Sequence, residues 1–572
     1  MSLDSPDGIA GAGESRDEIS LLSAAISDVL SGAMHPGEFR HRRVIHGIYP
    51  VRGAADRYLI RVRIPMGRPM AAHLIALAEA AERFTPGRFI HLTTRQDVHL
   101  YGIEIRRIPE ALMFLAERGL STREACGDTV RNIVVCPYAG ISRDEPFDVT
   151  TCAEALGRWL LRNPLGQRLP RKFKIAFEGC AREDHAGLGI HDVGARATAG
   201  PDGKPGFLIT LAGGLGALPR TGVELEPFTP VSGLAPTVEA ALRLFDRLGD
   251  RQKRGRARMK FVAERMGAIA FREAVIAERQ TVIATSSGRR LVLPDADVVP
   301  SGSSGDIGRD GFPEWPGALR QRQTGSLALP VKVPLGDVTA MQLRQLAGLV
   351  GDTGAEIRFT PAQGMILANL AEERVGEVSE RLRPAGFYPP ASVALTRCAG
   401  TDTCTVGTTR VRALAALLER ELSSLSDAVG PGAANITVKI SGCANGCGHH
   451  LLADIGLQGV AGNAGGRLAP FYTLFLGGGI RQEGGIRLGG QVGRVPVRRV
   501  PEAVRQVIRM LRAELRDGER PVEAFERLGV GPFAERLKEL IDPLAQAFTD
   551  EDFFDLGPPD PFPPSRTDLK AP

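Results

Sequence analysis

Four cysteines of this chain fall in two close pairs, Cys398-x5-Cys404 and Cys443-x3-Cys447, while Cys126, Cys136, Cys152 and Cys180 are scattered. Thiolates are soft ligands, and four of them in two short clusters suit either zinc or an iron–sulfur cubane. Zinc knuckles favour two to four intervening residues, so the wider first gap argues against zinc. The second pair lies in Ser441-Gly442-Cys443-Ala444-Asn445-Gly446-Cys447-Gly448. Its glycines allow the backbone to fold closely around a cluster and aim N–H groups at the sulfurs. Cysteines that merely pack as small hydrophobes have no reason to gather in two such loops.

Fixed positive charge is the second chemical signal. Lys172 and Lys174 stand i and i+2 in Leu169-Pro170-Arg171-Lys172-Phe173-Lys174, so on a strand both side chains point the same way. An isolated Lys-x-Lys is more often a solvated strand face. A denser run, Arg251-Gln252-Lys253-Arg254-Gly255-Arg256-Ala257-Arg258-Met259-Lys260, could be read as a nucleic-acid patch. It lacks interleaved aromatics, and a net charge of +5 over 572 residues is weak. An anionic cofactor or an acidic donor protein is the better partner, and no nucleic acid is expected.

These residues need a scaffold larger than one ordinary core, since domains usually run to ~100–200 residues. Apolar residues make up 43% and charged residues 24%, a globular balance. The N-terminal stretch has neither the basic region nor the apolar run of a signal peptide, and no run of apolar residues is long enough to span a membrane. A cytoplasmic protein is expected, with cysteines serving as thiols or metal ligands.

Two distant stretches share their order of features. Arg63-Ile64-Pro65-Met66-Gly67 echoes Lys332-Val333-Pro334-Leu335-Gly336, and Leu92-Thr93-Thr94-Arg95-Gln96 echoes Phe359-Thr360-Pro361-Ala362-Gln363. Lys174-Ile175 echoes Lys439-Ile440, and the segment from Leu208 to Gly214 echoes that from Tyr472 to Gly478. The offset stays between 264 and 269 residues, so the chain reads as two homologous halves. Within each half, a strand (Tyr58 to Ile64; Leu327 to Val333), a helix (Met70 to Phe84; Thr339 to Val350) and a further alternating strand (Phe89 to Ile103; Glu356 to Leu370) follow in order. The fold class is α+β.

The C-x5-C and G-C-x-N-G-C-G arrangement resembles the sulfite and nitrite reductases that join sirohaem to a [4Fe–4S] cluster. So do Gly47-Ile48-Tyr49, Leu92-Thr93-Thr94-Arg95-Gln96, Arg131-Asn132, the Leu169–Lys174 block, Ala212-Gly213-Gly214 and Leu476-Gly477-Gly478, in that family's order. The resemblance implies a duplicated pseudo-two-fold fold, with ferredoxin-like halves and two larger α/β cofactor-binding domains. The expected division is a flexible N-terminus (1–35), paired half-domains (36–123 with 324–391), a first sirohaem and substrate domain (124–285) and a linker (286–323). A second domain carrying the cluster (392–545) and a flexible tail (546–572) complete it.

By the same resemblance, Cys398, Cys404, Cys443 and Cys447 hold the cluster, and Cys447 bridges it to the sirohaem iron. Arg61, Arg131, Lys172 and Lys174 surround a small oxyanion on the open face of that iron. Thr93, Thr94, Arg95, Gln96, Gly213, Gly214, Asn445, Gly477 and Gly478 contact the cofactors. The first half's equivalent loop, around Gly179 and Cys180, has one cysteine and is expected to hold no metal. The implied reaction is the six-electron reduction of sulfite to sulfide or of nitrite to ammonia.

Lys174 favours sulfite, because sulfite reductases resemble this chain in having Lys-Phe-Lys, whereas nitrite reductases more often have an aromatic followed by Asn. His91 and His449 stand where arginine is usual, and His99 and Tyr101 replace a commoner Gln and His. A cobalamin-pathway relative and a non-enzymatic electron carrier are the remaining readings. No flavin or nicotinamide signature is visible, so a ferredoxin or a separate flavoprotein must supply the electrons.

Overall fold

The alternation in Tyr58-Leu59-Ile60-Arg61-Val62 seats a strand against a core, with Arg61 on its more open side. The computed structural model describes residues 14–285, 291, 293, 315–391, 393–427, 436–481, 485–542, 548–557 and 562. In it, β1 (Ile48–Val51), β2 (Ala54–Val62), β3 (Phe89–Leu92) and β4 (Val98–Glu104) form an antiparallel sheet in the order β1–β2–β4–β3. Helix Ala71–Phe84 covers it with Leu74, Leu77, Ala78 and Ala81 at helical spacing. The single strand expected from Phe89 to Ile103 is instead this β3–β4 hairpin. The chain turns at Thr93–Asp97, where Thr93 Oγ1 accepts from the N–H groups of Arg95 and Asp97 and Gln96 takes a left-handed φ of 56°.

A second sheet follows, β5 (Val134–Val135), β6 (Ile175–Glu178), β7 (Val193–Ala199), β8 (Pro205–Leu211) and β9 (Val223–Pro230), hydrogen-bonded in chain order. Its first three strands run parallel and the rest antiparallel. The second half repeats the first. β10 (Leu319–Arg320), β11 (Ser326–Val331), β13 (Glu356–Phe359) and β14 (Met365–Ala371) form a sheet in the order β10–β11–β14–β13, while β12 (Asp337–Thr339) crosses to pair with β3. β15 (Val393–Arg397), β16 (Ile436–Ser441), β17 (Ile455–Ala464), β18 (Arg467–Leu476) and β21 (Gly490–Pro496) then form a sheet in that order, beside a small ribbon of β19 (Gly479–Ile480) and β20 (Ile486–Arg487). The expected duplicated α+β fold is the observed one.

The two half-domains share one core, in which Leu74, Leu77 and Phe84 meet Leu343, Leu346 and Phe359. Each such side chain contributes about 1.5–3 kcal/mol on full burial, so the pair is held as one unit. The two larger sheets have separate cores.

Backbone geometry fixes the correspondence between halves. Met66 and Leu335 both have φ 55° after a proline, and Gln96 and Gln363 have φ 56° and 64°. Two sequence echoes prove out of register. Lys174 N donates to Asp192 and Thr437 N to Asp454, while Cys136 N donates to Phe177 O and Cys398 N to Ile440 O. Lys174 therefore corresponds to Thr437 rather than Lys439. Gly213 N donates to His191 O as Gly478 N does to Ala453 O, so Gly213, not Gly214, matches Gly478. A shift of two residues keeps a strand's faces, which is why the apolar pattern concealed the first error.

Both ends and the linker are more ordered than expected. Ser15 and Glu18 form a capping box on α1 (Arg16–Ser31), which buries Ile19, Leu22, Ala25 and Ile26. At the linker's end, Trp315 is buried with its Nε1 donating to Pro330 O, and β10 joins the second half-domain. The start of the tail docks through Phe548 and Phe553, and Asp555 accepts from Arg410 N. Residues 1–13, most of 286–314 and most of the tail lie outside the described residues. Among the described residues, no helix is long and apolar enough to cross a membrane.

Candidate functional site

Cys398 follows β15 and Cys443 follows β16, so two adjacent parallel strands deliver the first thiol of each pair to one end of the sheet. Backbone N–H groups converge on the sulfurs. Gly442 N donates to Cys398 Sγ at 3.1 Å and Gly400 N at 3.4 Å. Val406 and Gly407 serve Cys404, and Asn445 serves Cys443 through both its N–H and its side chain. Burial, then the neighbouring thiols, push the Cys443 thiol up to about 11 and also raise Cys398 and Cys404. A bound cluster reverses that cost, since a coordinated thiol is deprotonated outright.

Sequence reasoning missed the clamp on this loop. Arg52, at the β1–β2 turn, donates to the carbonyls of Cys404, Thr405 and Gly407 at 2.8–3.0 Å. Nothing in its local sequence distinguishes it from a surface arginine. Thr94 Oγ1 donates to Cys447 O at 3.0 Å, a second tie from the first half to the thiol loops.

Around Cys447 the first half contributes its cations. Arg61 donates through Nε to His99 and stacks on Tyr49; Arg61 and Arg131 both reach Ala125 O, at 3.4 and 3.0 Å. Lys172 and Lys174 flank Phe173, which bridges Val130 just ahead of β6, so they share a side as expected. Burial and then surrounding cations push Lys174 far down; burial takes Lys172 to about 7, with the nearby Cys447 acting in the opposite sense. Arg95 is buried, donating to Asn132 O and facing His191 Nε2 at 2.8 Å. Burial and the adjacent Arg131, Arg61 and Arg258 bring it down to about 9.

Within the basic run, Arg258 turns inward to Asp192 at 2.8 Å and Lys260 to the carbonyls of Gly214 and Leu215. Arg251, Arg254 and Arg256 pair outward with Asp246, Asp128 and Glu264. The run is therefore split between an inward pair and an ion-paired surface, not a continuous patch.

Other expected contacts have different employment. The Gln96 amide bonds the backbones of Val135 and Phe359, and that of Gln363 bonds Leu92, Arg397 and His91. Gln96 thus spends its side-chain amide on locking the two halves. Gly213 and Gly478 permit close backbone approach, because a Cβ would lie 2.2 Å from Gly189 O or Leu451 O. Gly477 has φ 71°, and a Cβ on Gly214 would meet the Arg258 guanidinium at 3.1 Å. These glycines shape the loops; they present no side of their own to a ligand. His91 spends its ring on Asp337 and Gln363, and burial lowers it to about 4; His449 is lowered well below the usual range by burial and Lys174. Both are neutral near pH 7, so neither replaces an arginine's charge.

The donor sets fit the two groups expected. Four thiols ringed by N–H donors suit a cubane. Burial, and then the cations around them, Arg61, Arg131 and Arg258 among these, lower Arg95, Lys172 and Lys174, and the group faces few carboxylates, chiefly Asp97 and Asp192. Buried Nε groups of Arg131 and Arg258 lack a partner. Such a surplus of positive charge calls for a polyanionic occupant, as a carboxylate-rich macrocycle is.

Comparison with known proteins agrees. Residues 126–282 and 391–542 match the nitrite and sulphite reductase 4Fe-4S domain, and residues 49–118 and 319–385 the nitrite/sulfite reductase ferredoxin-like half domain. The chain is 27% identical over 491 residues to a ferredoxin–nitrite reductase of Synechococcus elongatus, covering 83% of this chain and 90% of that one. It is 28% identical over 476 residues to a sulfite reductase [ferredoxin] of Mycobacterium tuberculosis, covering 82% and 81%. The structure of the Mycobacterium tuberculosis NirA protein superimposes with a TM-score of 0.75 at 25% identity, over 92% of this chain and 97% of that one. The chain belongs to the nitrite and sulfite reductase family, an oxidoreductase family whose cofactors are sirohaem and a [4Fe–4S] cluster.

Proposed function

We propose that this protein reduces sulfite to sulfide, with Cys398, Cys404, Cys443 and Cys447 holding the cluster and a ferredoxin supplying the electrons. The observation that carries this reading is the gathering of Arg61, Arg131, Lys172 and Lys174 from one half of the chain beside Cys447 of the other. When bound, sirohaem and the cluster supply the one-electron chemistry.

The protein's residues do the rest. Arg61 and Arg131, anchored on the Ala125 carbonyl, hold the anion's oxygens, and the two lysines neutralise and protonate them as water departs. A Lys172 ammonium near pKa 7 both carries and releases a proton at neutral pH. Arg95, Arg258 and Lys260 would hold the cofactor's carboxylates, and Asn445, which hydrogen-bonds the Cys443 sulfur, would tune it. Both relatives described above carry ferredoxin in their names, which supports that donor over a flavoprotein.

Lys174 supports sulfite, because a second lysine suits a three-oxygen dianion. Nitrite is the alternative, since a ferredoxin–nitrite reductase is about as similar as the sulfite reductase. Turnover with reduced viologen decides between them. Sulfite is expected to give the higher kcat/KM, and Lys174→Asn to lower it ~10²-fold while affecting nitrite less. A wild-type preference for nitrite would overturn the substrate assignment.

A further inference from the structure

The four cysteines that appeared scattered are not all independent. Cys136 follows β5 and Cys180 follows β6, the positions held by Cys398 after β15 and Cys443 after β16. Cys136 N donates to Phe177 O at 2.9 Å, as Cys398 N does to Ile440 O at 3.0 Å. Glu178-Gly179-Cys180 thereby corresponds to Ser441-Gly442-Cys443. The loop expected to hold no metal brings two thiols together.

Two further residues complete a ligand set. Cys136 Sγ lies 3.9 Å from Cys180 Sγ and 3.5 Å from His185 Nδ1, and that nitrogen lies 3.6 Å from Glu178 Oε1. Among the described residues, this is the one group of three or more His, Cys, Asp or Glu ligand atoms that all lie within 4.8 Å of one another. No three of the cluster cysteines meet that limit, in keeping with a cubane, whose thiolates stand farther apart than those around a single ion. Zinc takes sulfur at ~2.3 Å and nitrogen at ~2.0–2.1 Å, so a tetrahedral ion requires S–S edges of ~3.8 Å and S–N edges of ~3.6 Å. The empty ligand set already has these edges.

The surroundings are those of a built site. His185 Nε2 meets Glu183 at 2.8 Å, which fixes the tautomer that leaves Nδ1 for a metal. Glu178, fully buried, accepts from the N–H groups of Cys180, His185 and Ala186, so its carboxylate is held in place beside the sulfurs. The Tyr138 ring packs on His185 at 4.7 Å.

We propose that Cys136, Cys180 and His185, with Glu178 Oε1 as the fourth ligand, bind a single Zn²⁺ in the first half, at the pseudo-symmetric counterpart of the iron–sulfur cluster. Two thiolates, an imidazole and a carboxylate in tetrahedral array select zinc over harder divalent ions. The ion is structural. It ties the 179–187 loop to the end of β5, and Gly187 O in turn orients His191, which faces Arg95.

The test is the metal content of holoenzyme produced in zinc-supplemented medium and purified without oxygen. One zinc per chain is expected beside the iron, with a zinc-edge absorption spectrum showing two sulfur ligands at ~2.3 Å. In Cys136→Ser/Cys180→Ser, zinc should fall at least tenfold while the sirohaem absorbance and the cluster's paramagnetic signal remain. Should the double variant fail to fold, the wild-type stoichiometry and edge spectrum decide alone. Wild-type enzyme free of zinc, a Cys136–Cys180 disulfide in its place, or zinc that survives the double substitution would each overturn the proposal.

Discussion

The two large sheets use one strand order and one pair of cysteine positions to opposite chemical ends. In the second half, the loops after β15 and β16 add Cys404 and Cys447, for a total of four thiols. In the first, the corresponding loops add His185 and place Glu178 where the second half has Ser441, while the chain just before β6 carries Lys174 where the second half has Thr437. Duplication copied the backbone, and side-chain replacement then divided the work. On the function proposed above, one half presents soft ligands for electrons, and the other presents cations for an anion. The site exists only where the halves meet, which is why Thr94 of one bonds the Cys447 carbonyl of the other.

The largest effect should come from testing that division at matched positions. Cys443→Ser removes a proposed cluster ligand and should abolish both turnover and the cluster's iron. Cys180→Ser, its counterpart, should leave the iron content unchanged. Iron per chain and low-temperature paramagnetic resonance on both variants check this. Equal iron loss from both would mean that the halves are not divided as described.

Next in size is the loss of a cation from the substrate side. Lys172→Met should lower kcat/KM for sulfite by ~10²–10³-fold. The charged ammonium is the working form, present at low pH and lost as pH rises through its pKa. Burial sets that value at about 7, and cofactor carboxylates act to raise it. Wild-type kcat/KM should therefore fall on an alkaline limb at or above pH 7, and the variant should lack that limb. A pH profile shared by wild type and variant would remove Lys172 from the reaction.

The pseudo-two-fold itself can be broken at its paired glutamines. Gln96 and Gln363 each bond backbone groups across the seam from a left-handed turn. Replacing either with Leu strands buried donors and acceptors, at a cost of about 2–4 kcal/mol. Denaturant midpoints for Gln96→Leu and Gln363→Leu should fall by similar amounts. A neutral result for one alone would show that the seam is held asymmetrically.

How much of this was legible follows from where the signals lie. The two cysteine pairs stood out because spacing within a loop is local, and the duplication because apolar strands and turn residues recur at nearly constant offset. The seam role of Gln96 was missed because its partner carbonyl on Phe359 is 263 residues away. Arg52 was missed because it acts on backbone atoms about 350 residues distant, which leave no pattern beside it. Cys136 and Cys180 appeared unrelated for the same reason, since only the parallel pairing of β5 with β6 brings them together.

The smallest expected effect concerns a feature of the first half alone. α1 is fastened by Glu18, which accepts both guanidinium nitrogens of Arg162 at 2.8 Å and lies 3.0 Å from Arg123. The Arg162 hydrogen bond holds the Glu18 carboxyl down to about 2. A carboxyl depressed on folding stabilises the folded state above its ordinary pKa, near 4.5, and loses that contribution as pH falls toward 2. The pair is partly open to solvent, so screening reduces its worth to about 1 kcal/mol. Glu18→Gln should therefore raise the rate of limited proteolysis between α1 and the following helix, Pro36–Val44, by about fivefold at pH 7. With an acid-active protease, the difference between wild type and variant should shrink progressively below pH 4.5. A gap that persists unchanged in acid would show that Glu18 fastens α1 through something other than this ion pair, such as its capping box with Ser15.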